Sequence, residues 1–160
     1  MKHFMIAMAF GLASCAAPVM AQEIQQNTQK FMPASTSMTV TPQAEISSKH
    51  VEEGQKFTFS TIGDVKEGEF VVIPRGSTVT GTVTWKTGRA IGGKSGKFEV
   101  TFNSVNVGGK DYAVRGVHRQ EGRGNTVGAL LGSIWISGKS AVMLPGQEVS
   151  IFTAEPIPYS

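Results

Sequence analysis

The stretch from Gly88 to Ser95 has the spacing of a phosphate-binding loop, in which glycines, a lysine and a hydroxyl residue surround a nucleotide phosphate. Such a loop works because a helix follows it and points its first backbone N–H groups at the phosphate. Here Gly96 and the alternating stretch from Phe98 to Phe102 follow instead, and that alternation predicts a strand. We therefore interpret Gly88–Ser95 as a basic hairpin loop and predict no nucleotide or other cofactor.

His118 is the candidate base for nucleophilic catalysis. A catalytic triad needs a nucleophile and an acid held next to the histidine, and Ser104, Ser133 and Asp111 are the candidate partners. None of them lies in a nucleophile turn such as G-x-S-x-G. The sequence therefore favours a surface or loop histidine, and a hydrolase centred on His118 is kept as an alternative.

Metal chemistry has few ligands to draw on, since the chain has three histidines and one cysteine. The acidic pairs Glu52-Glu53 and Glu67-x-Glu69 are too sparse for a metal site or a glycosidase without further support. We predict no metal site, no catalytic residues and no enzymatic activity.

The middle of the chain is basic. Lys86–Arg123 holds eight Lys or Arg and three acids, whereas the whole chain has a net charge of +3. Such a region can face anionic lipid, lipopolysaccharide, peptidoglycan or an acidic protein, or can be a solvated rim of loops. Nucleic acid is a poor fit because only Trp85 and Tyr112 supply stacking aromatics there. The candidate contact residues are Trp85, Lys86, Arg89, Lys94 and Lys97.

Residues 127–136, which read VGALLGSIWI, are almost wholly apolar. The segment is too short to cross a bilayer as a helix, which takes roughly 20 apolar residues. It predicts one short apolar helix or strand, either in the core or exposed as a contact element, since exposed apolar patches mark partners. In the exposed alternative, the contact residues are Leu130, Leu131 and Trp135.

Residues 1–21 have the layout of a secretory signal peptide, with a basic start, an apolar run and the small residues Val19 and Ala21 before a polar stretch. In an alternative interpretation, the sequence LASC ending at Cys15 resembles the lipobox of bacterial lipoproteins, and Cys15 becomes the lipidated N-terminus. Both interpretations predict export, to the periplasm or as an outer-membrane lipoprotein, with no transmembrane helix in the mature chain.

Residues 22–48 are rich in Gln, Thr, Ser and Pro and lack a helical period, which predicts a flexible linker. Met38–Thr41 could add an edge strand that Pro42 would end. The β domain is then expected at residues 49–157.

From Val51 onward, apolar and polar residues alternate, which predicts half-buried antiparallel strands. The sets of residues expected to share one face of a strand are Phe57 and Phe59; Val79, Gly81, Val83 and Trp85; Phe98, Val100 and Phe102; Tyr112 and Val114; and Val149 and Ile151. Pro74-Arg75-Gly76 predicts a type I turn with Pro at its first central position, and Gly108-Gly109 predicts a tight hairpin. We expect an all-β fold, a small antiparallel barrel or sandwich of about six or seven strands.

The stretch VVIPRGSTVTGTV, residues 71–83, followed by a Gly-rich basic loop and an alternating strand, resembles the β domain of the VirB10/TrbI family of type IV secretion scaffolds. It also resembles a group of short exported bacterial proteins with a Gly- and Ala-rich stretch before a final strand, matched here by Gly128–Gly132 and Leu144-Pro145-Gly146. The resemblance implies that the Ile73–Ser77 turn joins two barrel strands. The secretion scaffolds also have an inner-membrane helix and a Pro-rich stalk, and the given sequence shows neither of these.

These observations together predict a non-enzymatic, exported bacterial envelope module that binds another envelope component. The first alternative is a VirB10/TrbI-like subunit of a secretion or conjugation complex, which forms a homo-oligomer through strand edges or through the apolar segment. The second alternative is the hydrolase centred on His118.

Overall fold

The computed structural model of the chain describes residues 29–88, 94–123 and 139–160. Every regular element within these ranges is a β-strand, and all pairings are antiparallel. The strands are β1 Lys30–Met32, β2 Ser37–Pro42, β3 Ile46–Ser47, β4 Lys56–Thr61, β5 Val65–Glu67, β6 Phe70–Ile73, β7 Thr78–Thr87, β8 Lys97–Val107, β9 Lys110–Arg115, β10 Val117–Glu121, β11 Val142–Met143, β12 Val149–Thr153 and β13 Ile157–Tyr159.

The main sheet has seven strands in the order β10-β8-β7-β4-β2-β12-β9. An additional pairing joins β9 to the second half of β8, so the ladder from β8 through β7, β4, β2, β12 and β9 returns to β8. The first half of β8 pairs with β10, which continues the direction of β9 after Gly116. The prediction of an all-β antiparallel fold of about six or seven strands, a small barrel or sandwich, is confirmed.

The core lies inside this ring of strands and follows the predicted alternation. Val79, Gly81 and Val83 face inward from β7, and Phe98, Val100 and Phe102 are buried on β8. The rings of Phe59 and Phe102 meet edge to face, with centroids 4.9 Å apart. Tyr112, Val114, Val149 and Ile151 are buried as predicted, whereas Phe57 is only partly buried. Burial of these aromatic and branched side chains is the main stabilising term of the fold.

Trp85 departs from the alternation. The register between β7 and β8 shifts between Val83 and Trp85, so that Val83 lies opposite Val100 and Trp85 lies opposite Glu99. One extra residue in a strand reverses the direction of the side chains that follow it. The prediction that Trp85 shares the inward face of Val83 is therefore wrong, because this bulge turns the indole to the outer face with Glu99.

The prediction of a flexible linker over residues 22–48 is wrong for the part that the structure describes. β2 lies in the interior of the main sheet, between β4 and β12, with Met38 and Val40 buried. Pro42 ends this strand, as expected, but the strand is not at an edge. The polar residues that suggested a linker alternate with buried ones, a strand pattern that the abundance of Thr and Ser obscured.

The two predicted turns are present, one with a different geometry. Ser77 N–H donates to the Pro74 carbonyl at 3.2 Å, and Gly76 has a φ of 83°. Pro74 is therefore the first of the four turn residues, and Arg75 and Gly76 are the two central ones. The positive φ of Gly76 makes this a type II turn, so the prediction of a type I turn with Pro74 at its first central position is wrong. Gly108 and Gly109 both have positive φ between the paired residues Val107 and Lys110, which confirms the tight hairpin.

Three small pairings surround the main sheet: β1 with β13, β5 with β6, and β3 with β11. The Pro74–Ser77 turn joins β6, the second strand of the β5–β6 hairpin, to β7 in the main sheet. The apolar segment 127–136 and the signal region 1–21 lie outside the described residues. Within the described part of the chain, no helix is long and apolar enough to cross a membrane.

Candidate functional site

One end of the barrel brings together the residues that flank both predicted contact segments. Gly96, just before β8, donates its N–H to the Lys139 carbonyl at 3.2 Å and accepts from Gly122 N–H at 3.0 Å. Lys139 N–H in turn donates to the Arg123 carbonyl at 2.9 Å. Gly96, which follows the basic loop, therefore lies beside Arg123 and Lys139, the described residues on either side of the stretch that contains residues 127–136.

Glycine is required at this junction because the backbones approach closely. A Cβ on Gly122 would collide with the Lys139 carbonyl, and one on Gly96 would lie 2.5 Å from the Ser48 hydroxyl oxygen. Ser48 is itself buried, and its hydroxyl accepts from Ala141 N–H at 3.0 Å. The junction is thus a packed, hydrogen-bonded base, and it fixes where the two segments leave the barrel.

Trp85 lies on the outer face beside this junction. The antiparallel registers place Trp85, Glu99 and Arg119 in one row across β7, β8 and β10. The Arg119 guanidinium carbon lies 4.5 Å from the centroid of the indole, in a cation–π contact. The Glu99 carboxylate accepts a hydrogen bond from the Thr84 hydroxyl at 3.1 Å. On the outer face of the sheet, this row therefore presents an aromatic ring with a cation held against it.

The neighbouring row carries an ion pair. Lys97 Nζ lies 2.9 Å from Glu121 Oε1, and Arg119 Nε lies 3.3 Å from the same oxygen. The hydrogen bond from Lys97, together with the positive charges of Lys97 and Arg119, lowers the pKa of Glu121 below its ordinary value. One carboxylate therefore positions two cations on the outer face.

These groups border an open cleft of about 570 Å³ that we call the Trp85 cleft. Its lining consists of Trp85, Thr87, Gly88, Lys94, Ser95, Lys97 and Arg119. The lining carries three cations, two hydroxyl groups and one large apolar side chain, with the carboxylate of Glu121 just beside it. Within the described part of the chain, Lys94 forms no ion pair. Such a lining favours a ligand that combines a ring with negative charge.

The structure places some of the residues predicted to make contacts at this cleft and others away from it. Trp85, Lys94 and Lys97 line one cleft, as the basic-loop hypothesis requires. Lys86 does not line it: its Nζ donates to the Val51 carbonyl at 2.7 Å and its N–H donates to Glu53 at 3.2 Å. Arg89, Leu130, Leu131, Trp135 and Cys15 lie outside the described residues.

Sequence reasoning missed Arg119 and Glu121. The alternation from Val117 to Glu121 could have indicated them, because it places Arg119 and Glu121 on the same face of a strand. Their neighbours could not be read from this pattern, because the pairing with β8 shifts by one residue at Gly116, between β9 and β10.

His118 lies in the edge strand β10 and not in a loop, and its side chain is half-buried. Its Nε2 is 3.0 Å from Gln120 Oε1, and Gln147 donates to that same oxygen at 2.7 Å. Asp111 instead accepts a hydrogen bond from Asn106 in the β8–β9 hairpin, and Ser104 lies opposite Ala113. The structure therefore does not bring Asp111 or Ser104 to His118.

Elsewhere in the described ranges, no group of three or more His, Cys, Asp or Glu side chains is placed to hold a metal ion. The chain matches no protein-family model and no curated protein sequence.

Proposed function

We propose that this chain is an exported bacterial envelope module that binds another component of the cell envelope through the end of its β barrel, without catalysing a reaction. The binding surface is the Trp85 cleft and the junction of Gly96, Gly122 and Lys139 next to it. The observation that carries the proposal is that this one end gathers an outward-facing tryptophan, three cations and the bases of both segments predicted to make contacts.

The outward Trp85 is the strongest part of the argument. Large aromatic side chains normally contribute to the core, and the even spacing from Val79 would have buried this one. A bulge instead turns it outward, next to a cation. Bulges commonly redirect a side chain beside a functional site, so the departure from the pattern is itself a sign of use.

The charge of the surface suggests what it binds. Lys94, Lys97 and Arg119 face the cleft, while Glu99 and Glu121 lie beside it, which leaves an excess of positive charge. Peptidoglycan, lipopolysaccharide and anionic lipid are the acidic components of a bacterial envelope, and an acidic envelope protein would also be complementary.

The test is co-sedimentation of the mature chain with three separate probes: purified peptidoglycan sacculi, vesicles containing anionic lipid, and vesicles containing lipopolysaccharide. We expect at least one probe to retain the wild type and the double variant K94E/R119E to lose most of that retention. The matched control is K66E, which reverses an exposed lysine on β5 in a separate hairpin. The proposal is contradicted if none of the probes retains the chain, or if K94E/R119E is retained as well as the wild type.

Export is part of the proposal and rests on the pattern of residues 1–21. The mass of the chain recovered from a bacterial periplasm should correspond to cleavage after Ala21, or to a lipid-modified chain that begins at Cys15. In the lipoprotein case, Cys15→Ala abolishes the lipid mass. Recovery of the intact chain from the cytoplasm contradicts export.

The alternative of a secretion or conjugation subunit is favoured by one observation. Among the described strands, β1 pairs only with β13 and β5 pairs only with β6, so each two-stranded unit has open edges on which a second copy could add strands. Light scattering separates the two functions: a closed oligomer supports the secretion subunit, and a monomer supports the simple binding module.

A further inference from the structure

We infer that the Trp85 cleft binds an acidic saccharide, a sugar unit that carries a carboxylate or a phosphate group. This inference rests on the proposed function and names the chemical class of the ligand for the same site. It is drawn from the juxtaposition of one outward indole, a guanidinium stacked on it, two further cations and two hydroxyl groups.

The apolar part of such a ligand fits the indole. A sugar ring has an apolar C–H face and a rim of hydroxyl groups, and Trp85 offers a flat, partly exposed aromatic surface of matching size. Thr87 and Ser95 line the same cleft and supply side-chain hydroxyls that both donate and accept hydrogen bonds. The cleft volume of about 570 Å³ lies within the range of small-ligand sites.

The acidic group of the ligand fits the cations. Arg119 is 51% exposed and is held in place by Trp85 on one side and by Glu121 on the other, so binding an anion would cost little side-chain ordering. Glu121 neutralises only one of the positive charges of Lys97 and Arg119. Lys94 adds a third cation to the lining. Charge-assisted hydrogen bonds to a carboxylate or phosphate are the strongest contacts that these side chains make.

Other ligand classes fit less well. A lipid chain needs a continuous apolar channel, whereas Trp85 is the only large apolar side chain among the described residues that line the cleft. Single-stranded nucleic acid needs successive aromatic side chains on which its bases stack, and this cleft presents one. An acidic saccharide needs one ring-binding surface and one anion-binding group, and the cleft provides both.

The test is calorimetric titration of the full mature chain with three oligosaccharide probes: an oligogalacturonate, which carries carboxylates; a glucosamine disaccharide bearing phosphates; and neutral maltohexaose. We expect at least one acidic probe to bind and maltohexaose to bind at least about tenfold more weakly, since it lacks the charge-assisted contacts. The acidic probe that binds more tightly identifies the source of the negative charge, and binding of either one supports the inference.

Two variants assign the binding to this cleft. Trp85→Ala and Arg119→Ala should each weaken binding of the acidic probe by about tenfold, through loss of the ring surface or of its cation. Trp85→Phe keeps an aromatic face and should recover most of the affinity, which separates a binding role from a folding role. Lys66→Ala, on β5, is the matched control and should bind like the wild type.

Three results overturn the inference: neither acidic probe binds, maltohexaose binds as tightly as the acidic probes, or Trp85→Ala binds as the wild type does. If the acidic probes fail while anionic vesicles retain the chain and K94E/R119E abolishes that retention, the saccharide inference is wrong and the proposed function stands. If the envelope probes fail as well, both are wrong.

Discussion

Gly81 shows at the scale of one residue how tightly the barrel interior is filled. A Cβ at this position would lie 2.8 Å from Val100 Cγ1 and 2.9 Å from Phe59 Cε2. Real Cβ atoms do not come this close, so the side chains around an added methyl group must shift. The absence of a side chain on Gly81 is therefore what lets the large ring of Phe59 occupy the centre of the core.

We expect Gly81→Ala to lower the free energy of unfolding by about 1–3 kcal/mol, the usual cost of overpacking a filled core. Urea denaturation followed by circular dichroism measures this change. Gly63→Ala is the control, since nothing lies within 4 Å of a Cβ there, and it should leave stability unchanged. If Gly81→Ala is as stable as the wild type, the interior is less closely packed than described.

The ionisation of Glu121 on the outer face makes the stability of the fold depend on pH. Its pKa is lowered by the hydrogen bond from Lys97 and by the charges of Lys97 and Arg119, so the ionised form is favoured in the folded chain. The resulting stabilisation is fully present above the ordinary carboxylate value of 4.5 and is lost as the pH falls through the lowered pKa. Because the pair is exposed to solvent, the effect is small.

Glu121→Gln should therefore be slightly less stable than the wild type at pH 7, and the difference should shrink toward pH 2, because the wild-type carboxyl loses its charge as the pH falls through its lowered pKa. Parallel urea titrations at the two pH values measure the difference. Glu155→Gln is unsuitable as a control because that carboxylate accepts a backbone hydrogen bond from Ala113. Glu148→Gln is the control, because it alters an exposed carboxylate. A difference between Glu121→Gln and the wild type that persists unchanged at pH 2 contradicts the assignment.

The candidate site was partly predictable at this scale. Trp85, Lys94 and Lys97 could be selected from a basic stretch with an aromatic residue, without knowledge of the fold. Lys86 could not be excluded, because its bond to the Val51 carbonyl joins residues far apart in the chain. Arg119 could not be found, because only the register between β8 and β10 places it next to Trp85.

At the scale of elements, β2 decides whether the barrel forms. It pairs with β4 on one side and with β12 on the other, and it buries Met38 and Val40. A sequence rich in Thr, Ser and Gln predicts a linker when composition is read alone. The alternation of a few buried and polar residues predicts a strand instead. Pairing with β4 and β12 decides in favour of the strand.

A chain that begins at Ser48 should accordingly fail to fold, whereas one that begins at Gln29 should keep the cooperative unfolding of the mature chain. The shorter chain lacks β1, β2 and β3, so β4 and β12 lose the strand between them and the core loses the buried side chains of Met32, Met38, Val40 and Ile46. Thermal unfolding followed by circular dichroism distinguishes the two chains. A cooperative transition for the shorter chain would show that β2 is dispensable.

Strands β7 to β9 were the most predictable elements. Long alternation in β7 and β8 and the Gly108-Gly109 turn specify both strand type and local pairing. The bulge before Trp85 is not encoded in that alternation. It arises where β7 passes from the packed interior to the end of the barrel, and the sequence there simply continues its even spacing.

At the scale of the whole molecule, the residues that stabilise the fold and the charged residues proposed to bind a partner occupy different faces of the sheet. The core inside the ring of strands is apolar, while the cations of the Trp85 cleft lie on the outer face. Fold class followed from the strand pattern and turn residues. Ring closure did not, because the short β9–β12 pairing joins residues from distant parts of the chain.

The proposed envelope binding should therefore be sensitive to salt, while the fold is not. Between about 0.1 and 1 M salt, the Debye length falls from about 10 to about 3 Å, which screens exposed charges but leaves apolar contacts intact. We expect retention of the chain on its envelope probe to fall several-fold over this range, with the melting temperature essentially unchanged. Retention that does not depend on salt would mean that the cations of the cleft do not drive binding.

The pairing of β1 with β13 and of β2 with β12 also determines when the barrel can close during synthesis of the chain. β1 has to wait for β13, and β2, which can pair early with β4, lacks its second partner until β12 is synthesised, so the ring cannot close before these later strands have left the ribosome. Such sequence-distant pairing also slows folding. Under the export that we propose, a chain built in this order stays open while it is threaded through a translocation channel, and its barrel closes only after β12 and β13 have emerged.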